Sequence, residues 1–368
     1  MCMACGPQID TSKADAFTER MIGMLNEAGL ALMISIGHRT GLFDAVAGLP
    51  PATSAGIAEA AGLSERYVRE WLGAMVTGRI VAYEPGTREY HLPAEHAAAL
   101  TRAASPNNCA SFMQWIAVLG SVEDQVVSCF REGGGVPYTA YPRFHEVMAE
   151  ESGQTVLPGL FEHILPLVPG LTERLEAGID VLDVGCGAGR ALILMAEAYP
   201  NSRFTGYDFF AEAIDMARAE AGRRNLSNVR FGIQDAAAMS EVDAYDLITT
   251  FDAVHDQARP DVVLGAIRRA LRPDGIYLMQ DIRGSSEVHN NMDHPVAPFI
   301  YTISCMGCMT VSLSQGGMGL GAMWGQETAT AMLAEAGFAD AEIKQLPHDF
   351  QNDYYVVRKA APAMRKAA

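Results

Sequence analysis

The 368-residue sequence predicts an α/β fold: a mainly parallel sheet layered with helices and preceded by a smaller helical domain. Three observations carry this reading. The run Val181-Leu-Asp183-Val184-Gly185-Cys186-Gly187-Ala188-Gly189 is an apolar strand ending in an acid and three closely spaced glycines, and a helical pattern, Arg190 to Tyr199, follows at once. From 179 onward, strand-like runs alternate with helical ones. Ahead of them stand a helix, a glycine-containing turn, a second helix and a short hairpin, the order of a winged helix-turn-helix.

Each element has a local cause. Ala16-Phe17, Met21, Met24-Leu25, Ala28, Leu32 and Ile36 recur at helical spacing, so 12–48 is helical, with a second short helix from Gly41-Leu-Phe43 onward. Thr53-Ser54 and Ser64 are cap signals for the next two helices, the second running from Glu65 to Val76. Ile80 to Tyr83, a turn at Glu84-Pro-Gly-Thr87, and Glu89 to Leu92 form the hairpin. Residues 105–175 are mostly helical, broken at Glu132-Gly-Gly-Gly135-Val-Pro-Tyr138-Thr-Ala-Tyr141-Pro142. That break is either a surface connection or a lid that brings Tyr138, Tyr141 and Phe144 over a ligand. Strands are expected at Arg203–Asp208, Val229–Ile233, Tyr245–Phe251 and Ile276–Met279, with two more around 341–346 and 353–358. The expected domains are 1–104, a helical linker and lid at 105–175, and 176–368 with an insertion at 283–326.

Composition narrows the function. With 27 basic against 44 acidic residues, the net charge is −17. Phosphate contacts need clustered Lys and Arg, so a general nucleic-acid surface is not expected. No uninterrupted apolar run approaches ~18 residues, and no membrane span is expected. The acids near the start argue against a signal peptide. Seven cysteines in a chain of this length suit reduced thiols and a cytoplasmic protein. Two C-x-x-C pairs, Cys2/Cys5 and Cys305/Cys308, offer four thiolates for zinc, or else polarizable packing atoms beside Met306 and Met309. The second reading is preferred, and no metal is expected.

The glycine spacing selects the cofactor. A dinucleotide loop, G-x-G-x-x-G, would put its third glycine at 190, where Arg190 stands. An acid two residues before the first glycine, then G-x-G-x-G, resembles motif I of the class I S-adenosyl-L-methionine (SAM) methyltransferases. Asp208 then closes a second strand, and Gln234-Asp235-Ala236 follows a third. Ser64-Glu-Arg-Tyr-Val-Arg-Glu-Trp-Leu72, Tyr90-His-Leu-Pro93, Gly135-Val-Pro-Tyr138 and Met309-Thr-Val-Ser-Leu-Ser-Gln-Gly-Gly-Met-Gly319 extend the resemblance to winged-helix methyltransferases of the actinobacterial Rv2258c-like subgroup.

The resemblance implies a Rossmann-like class I methyltransferase sheet, with SAM as cofactor and S-adenosyl-L-homocysteine as product. It implies Asp183, Gly185, Gly187 and Gly189 at the cofactor loop, Asp208 on the ribose, and Phe209 packed on adenine. Asp235 and Ala236 fall at the adenine edge and Phe251 beside the cofactor. It also implies a small-molecule methyl acceptor and a homodimer built on the winged-helix domain, rather than DNA binding.

Val254-His255-Asp256 directly follows the fourth strand, where plant-type O-methyltransferases carry a His-Asp pair; there Trp usually follows, and here Gln257 does. His255 is the expected base, or else it caps the next helix or packs on the cofactor. His289, His294 and His348 are weaker alternatives. A free imidazole titrates near ~6.5, a thiol near ~8.5 and a phenol near ~10. A histidine base therefore suits a thiol or phenol better than an alkyl alcohol. The expected activity is methyl transfer to a small O or S nucleophile. A dedicated sulfide or thiol S-methyltransferase and a SAM-sensing regulator are the alternatives.

Overall fold

The computed structural model describes residues 9–359. Cys2 and Cys5 lie outside them. The chain forms two compact units that divide between Ala117 and Val118.

The first unit opens with a 30-residue helix, Thr11–Thr40, capped by the Asp10 carboxylate and ended by Gly41 at φ 74°. Helices Leu42–Ala47, Ser54–Ala61 and Glu65–Thr77 follow, then a hairpin of β1 (Ala82–Glu84) and β2 (Glu89–His91). Phe43, Ile57, Trp71, Leu72 and Met75 form the core. The Trp71 ring packs edge-on against Phe43, and its Nε1 donates to the Met33 carbonyl at 2.8 Å. Thr53 caps its helix through Oγ1, whereas the Ser64 side chain makes no capping bond. The first helix is mostly exposed in this unit, including Phe17, Met21, Ile22, Met24, Leu25, Leu32 and Ile36. Thr11–Thr40, and Ala297–Ser314 in the second unit, are long and apolar enough to cross a bilayer by length and composition.

The second unit is built on a seven-stranded sheet. Its strands are β3 (Asp180–Val184), β4 (Arg203–Asp208), β5 (Val229–Ile233), β6 (Tyr245–Phe251), β7 (Leu271–Ile282), β8 (Glu342–Leu346) and β9 (Asp349–Arg358). The order is β5-β4-β3-β6-β7-β9-β8, with β3 to β7 parallel and β9 antiparallel to both neighbours. Adjacent residues face opposite sides of the sheet. Val181, Leu247 and Leu278 pack in one core with Leu192, Phe204 and Ile214. Leu182, Ile248 and Met279 pack in the other with Val263, Leu264 and Ile267. Both faces are covered, which is why these strands are almost continuously apolar. In this arrangement the carboxyl ends of β3, β4, β6 and β7 share one edge, where open α/β sheets place their ligands.

The insertion is helical from Ala297 to Ser314, with a π turn at Ser304–Cys308. It fastens the glycine-rich loop. Val136 N–H donates to the Thr310 carbonyl and to Thr310 Oγ1, and a Cβ on Gly135 would stand 1.9 Å from the Thr310 oxygen. The loop expected to be a mobile lid is therefore pinned at its centre by backbone contact that only glycine permits.

Candidate active site

The turn after β3 is shaped by backbone. Gly185, Gly187 and Gly189 have φ of 74°, 52° and 69°. A Cβ on Gly185 would stand 2.5 Å from the Ala253 Cβ, whereas around Gly187 nothing lies within 4 Å. Bare backbone thus faces open space at Gly187, which suits close approach of a ligand. Asp208, at the end of β4, ties this turn down: its Oδ2 accepts from Gly187 N at 2.8 Å and its Oδ1 from Phe210 N at 2.9 Å. A carboxylate has further lone pairs to offer. Burial raises the Asp208 pKa despite these two donors. Asp183 lies beneath the turn and accepts from Thr249 Oγ1 at 2.7 Å; burial pushes its carboxyl up to about 7.

A cleft opens over this turn. Gly185, Gly187, Asp208, Phe209, Asp235, Ala236 and Phe251 all line it, and a smaller cavity beside it reaches Asp183 and Cys186. The Asp235 carboxylate also accepts from Ala237 N at 2.9 Å, starting the short turn Ala236–Ala238. Phe209 is 58% exposed, with its ring edge-on to Phe210. Tyr138, Phe144 and His145 line the opposite side; the Tyr138 ring stands 4.5 Å from Phe144 and 5.0 Å from Phe210 between centroids. The Tyr138 hydroxyl donates to Asp256 Oδ2. Burial, then the charge of Asp256, holds this phenol well above its usual range.

Behind the lining is a buried dyad. His255 is 3% exposed and its Nδ1 lies 2.8 Å from Asp281 Oδ1, on β7. That oxygen also accepts from Trp324 Nε1 at 2.9 Å and from Ile282 N at 2.8 Å. Burial works against the imidazolium, but the charge of Asp281 outweighs it and holds His255 well above the ordinary imidazole range. The Cys308 thiol also faces the imidazole, and burial raises that thiol.

Two expectations change. The carboxylate partner of His255 is Asp281, not the adjacent Asp256, which turns to Tyr138 instead. Tyr141 does not line the cleft: it is 5% exposed and its hydroxyl donates to the Met306 carbonyl at 2.6 Å, anchoring the loop to the insertion. The alternative histidines pair elsewhere: His289 lies 4.0 Å from Glu287, His294 Nδ1 accepts from Val296 N at 3.4 Å, and His348 stacks on His163. Sequence reasoning missed His145, Phe210, Asp252, Asp281 and the contact of Cys308. Only Asp252 and Asp281 had a visible signal, as acids at strand ends.

A glycine turn after the first strand of the sheet, an acid ending the second, and an antiparallel last strand inserted beside β7 define the Rossmann-like sheet of the class I methyltransferase fold. The family comparisons agree. Residues 175–337 match a methyltransferase domain and residues 28–102 match an Rv2258c-like winged HTH domain. The chain therefore carries an Rv2258c-like winged HTH domain followed by a methyltransferase domain. It is 28% identical to (S)-coclaurine N-methyltransferase of Thalictrum flavum subsp. glaucum over 109 residues, 30% of each chain. It is 32% identical to the fatty-acid O-methyltransferase of Mycolicibacterium smegmatis over 107 residues, 29% of this chain and 38% of that one. The chain thus spans 30% and 38% of the length of these curated relatives. Human N-acetylserotonin methyltransferase, solved in complex with SAM, shares the fold with a TM-score of 0.69. It is 19% identical, over 97% of this chain and 100% of that one.

Proposed function

We propose that this protein transfers the SAM methyl group to a small O or S nucleophile, with His255 as general base. The observation that carries the reading is the Asp281–His255 contact at 2.8 Å, immediately after the strand that ends beside the cofactor cleft. Bound SAM supplies an electrophilic methyl group on a sulfonium. Asp208 would hold the ribose hydroxyls, Asp235 and Ala236 the adenine edge, and Phe209 its face, with Gly185 to Gly189 against the rest; Asp183 shapes that turn from beneath. These residues fit the cofactor because bare backbone and unfilled carboxylate lone pairs meet in one cleft. Positioning does most of the work in methyl transfer, and the aromatic side formed by Tyr138, Phe144 and Phe210 supplies apolar walls. Asp281 fixes the imidazole and favours its charged form, so His255 takes a proton readily. A raised imidazole pKa lies closer to that of a thiol than a free imidazole does.

A thiol or sulfide acceptor is the favoured narrower reading, because the Cys308 thiol already faces His255. A sulfur atom packed against the imidazole supports that reading. A SAM-sensing DNA regulator is disfavoured, because Arg66 pairs with Glu70 and Arg69 with Glu65 on the second helix of the helix-turn-helix. We further propose a cytoplasmic homodimer assembled on the exposed apolar side chains of Thr11–Thr40. Turnover with thiophenol, hydrosulfide, a phenol and an alkyl alcohol tests the acceptor class. Product is expected with the first three, unchanged by EDTA, and little with the alcohol. Preference for the alcohol would refute the thiol or phenol acceptor that a histidine base implies.

A further inference from the structure

Asp252 closes β6 at its carboxyl edge and is not used by the mechanism above. It is a non-glycine residue held at φ 53°, a conformation that costs a β-carbon-bearing residue free energy and is kept where surroundings dictate it. Its backbone N–H donates to the Gln280 carbonyl at 3.1 Å, which sets it beside the end of β7. There Asp252, His255 and Asp281 each bring one side-chain atom within 4.8 Å of the others. Asp252 Oδ1 and Asp281 Oδ2 are both buried, and neither has a partner among the described residues. Asp281 is 0% exposed. Two carboxylates in one such cluster, each with a buried unpartnered oxygen, cannot both remain charged and bare; burying one unpaired charge already costs several kcal/mol. Either a cation or a proton resolves the conflict. A cation would find only those two oxygens free in the cluster, short of the four or more ligands that Zn²⁺, Ca²⁺ or Mg²⁺ takes, because the His255 Nδ1 and Asp281 Oδ1 are committed to each other and Asp281 Oδ1 takes two further N–H donors. A proton needs no rearrangement.

We propose that Asp252 is a positioning residue: it stays a neutral carboxylic acid at pH 7 and lends its proton to Asp281 Oδ2, directly or across one water. This rests on the reading of His255 as base. The surroundings agree in sign. Asp252 faces Asp281 on β7, His255 on its own loop, Glu151 on the helix Phe144–Ser152, Asp349 on β9, the Tyr354 hydroxyl and the Cys308 thiol. Burial, then the charge of Asp281, favours the protonated form, and His255 alone among these opposes it. The consequence falls on the base. With Oδ2 satisfied by a neutral donor, Asp281 keeps a single negative charge directed through Oδ1 at the imidazole. An ionised Asp252 would add a second charge, hold the imidazolium more tightly, and take His255 out of use as a base near neutrality.

The decisive experiment is infrared spectroscopy of full-length protein labelled with carboxyl-¹³C aspartate, as a difference between wild type and Asp252→Asn at pH 7. A protonated-carboxyl C=O band is expected in the wild type and lost in the variant. The subtraction isolates Asp252 from the other buried acids. Asp252→Glu escapes the label, so it removes the same band while keeping a carboxyl and serves if the amide variant does not fold. No band means an ionised Asp252 and overturns the proposal. Stoichiometric Mn²⁺ or Zn²⁺ bound to wild type and lost in Asp252→Asn also overturns it, in favour of a cation. The pH profile of thiophenol methylation gives a readout that a structural role would not move. Asp252→Asn is isosteric and neutral, so the acid limb should stay in place. A charged Asp252 predicts instead that the limb drops by about 1–3 pH units. If the band is present but His255→Ala remains active, the base reading fails while the protonation of Asp252 stands.

Discussion

The two ends of the site are built in different ways. At the β3–β4 end, function lies in contiguous backbone: three glycines within five residues, and one acid that folds back onto them at 2.8 Å. At the β6–β7 end it lies in side chains far apart in sequence. Asp252 and His255 follow β6, Asp281 ends β7, Cys308 and Trp324 come from the insertion, and Tyr138 comes from the loop ahead of the sheet. The first end needs close approach, which backbone geometry alone supplies. The second needs a tuned proton acceptor, which only converging charged groups in a buried space supply. Damage at the first end should therefore appear in cofactor affinity, and damage at the second in rate and pH dependence.

Substitutions can break that division. If Asp208 holds the ribose as proposed, Asp208→Ala removes charge-assisted bonds to two hydroxyls, each worth roughly 1.5–3 kcal/mol, and frees Gly187 N. SAM and S-adenosyl-L-homocysteine should bind about 10²–10⁴-fold more weakly by calorimetry. At the other end, Asp281→Asn should slow single-turnover methyl transfer by about 10²-fold. Cofactor affinity should stay within about twofold, because no backbone near Gly187 depends on Asp281. A proportional loss of both would mean that the two ends are one unit. Tyr138→Phe removes only the hydroxyl bonded to Asp256, a contact worth about 0.5–1.5 kcal/mol. The acceptor KM should rise by roughly 2–10-fold, measured at saturating SAM. An unchanged KM would make Tyr138 packing alone.

A separate effect falls on stability rather than on affinity or rate. Asp183 is pushed up to about 7 from 3.8 by burial. Its folded pKa therefore lies above its unfolded one, and the native state binds the proton more tightly. That stability is fully present below about pH 4 and is lost as pH rises to about 7. Asp183→Asn cannot lose it. The difference in melting temperature, variant minus wild type, should grow from pH 4 to about pH 7 and then level off. A flat difference would show that Asp183 is ionised throughout.

The same division explains what was legible in the sequence. Val229–Ile233 and Tyr245–Phe251 are strands over the residues expected, and Arg203–Asp208 likewise, because an apolar run bounded by turn residues is a local signal. The glycine turn was legible for the same reason. Asp281 was not, because nothing near it in sequence indicates that an imidazole 26 residues away will meet it. Asp256 was taken for that partner because it is adjacent to His255, but neighbours on an extended turn point apart. Tyr138 and Tyr141 looked equivalent in the loop; one turn of backbone sends the first to the cleft and the second to the Met306 carbonyl. The helix Thr11–Thr40 and the short helix Leu42–Ala47 fall within the 12–48 stretch expected to be helical to within one residue, because spacing at i, i+3 and i+4 is also a local signal.

The central claim is that His255, held by Asp281, is the base. The pH dependence of single-turnover thiophenol methylation at saturating SAM tests it most directly. The neutral imidazole is the active form, and Asp281 raises the pH at which it appears. The wild-type rate should therefore climb with pH along one acid limb lying above the ~6.5 of a free imidazole. In His255→Ala that limb should vanish, with SAM affinity intact and the residual rate following the ionisation of the thiol itself. If the same limb persists in His255→Ala, the proton leaves by another route and the account is wrong.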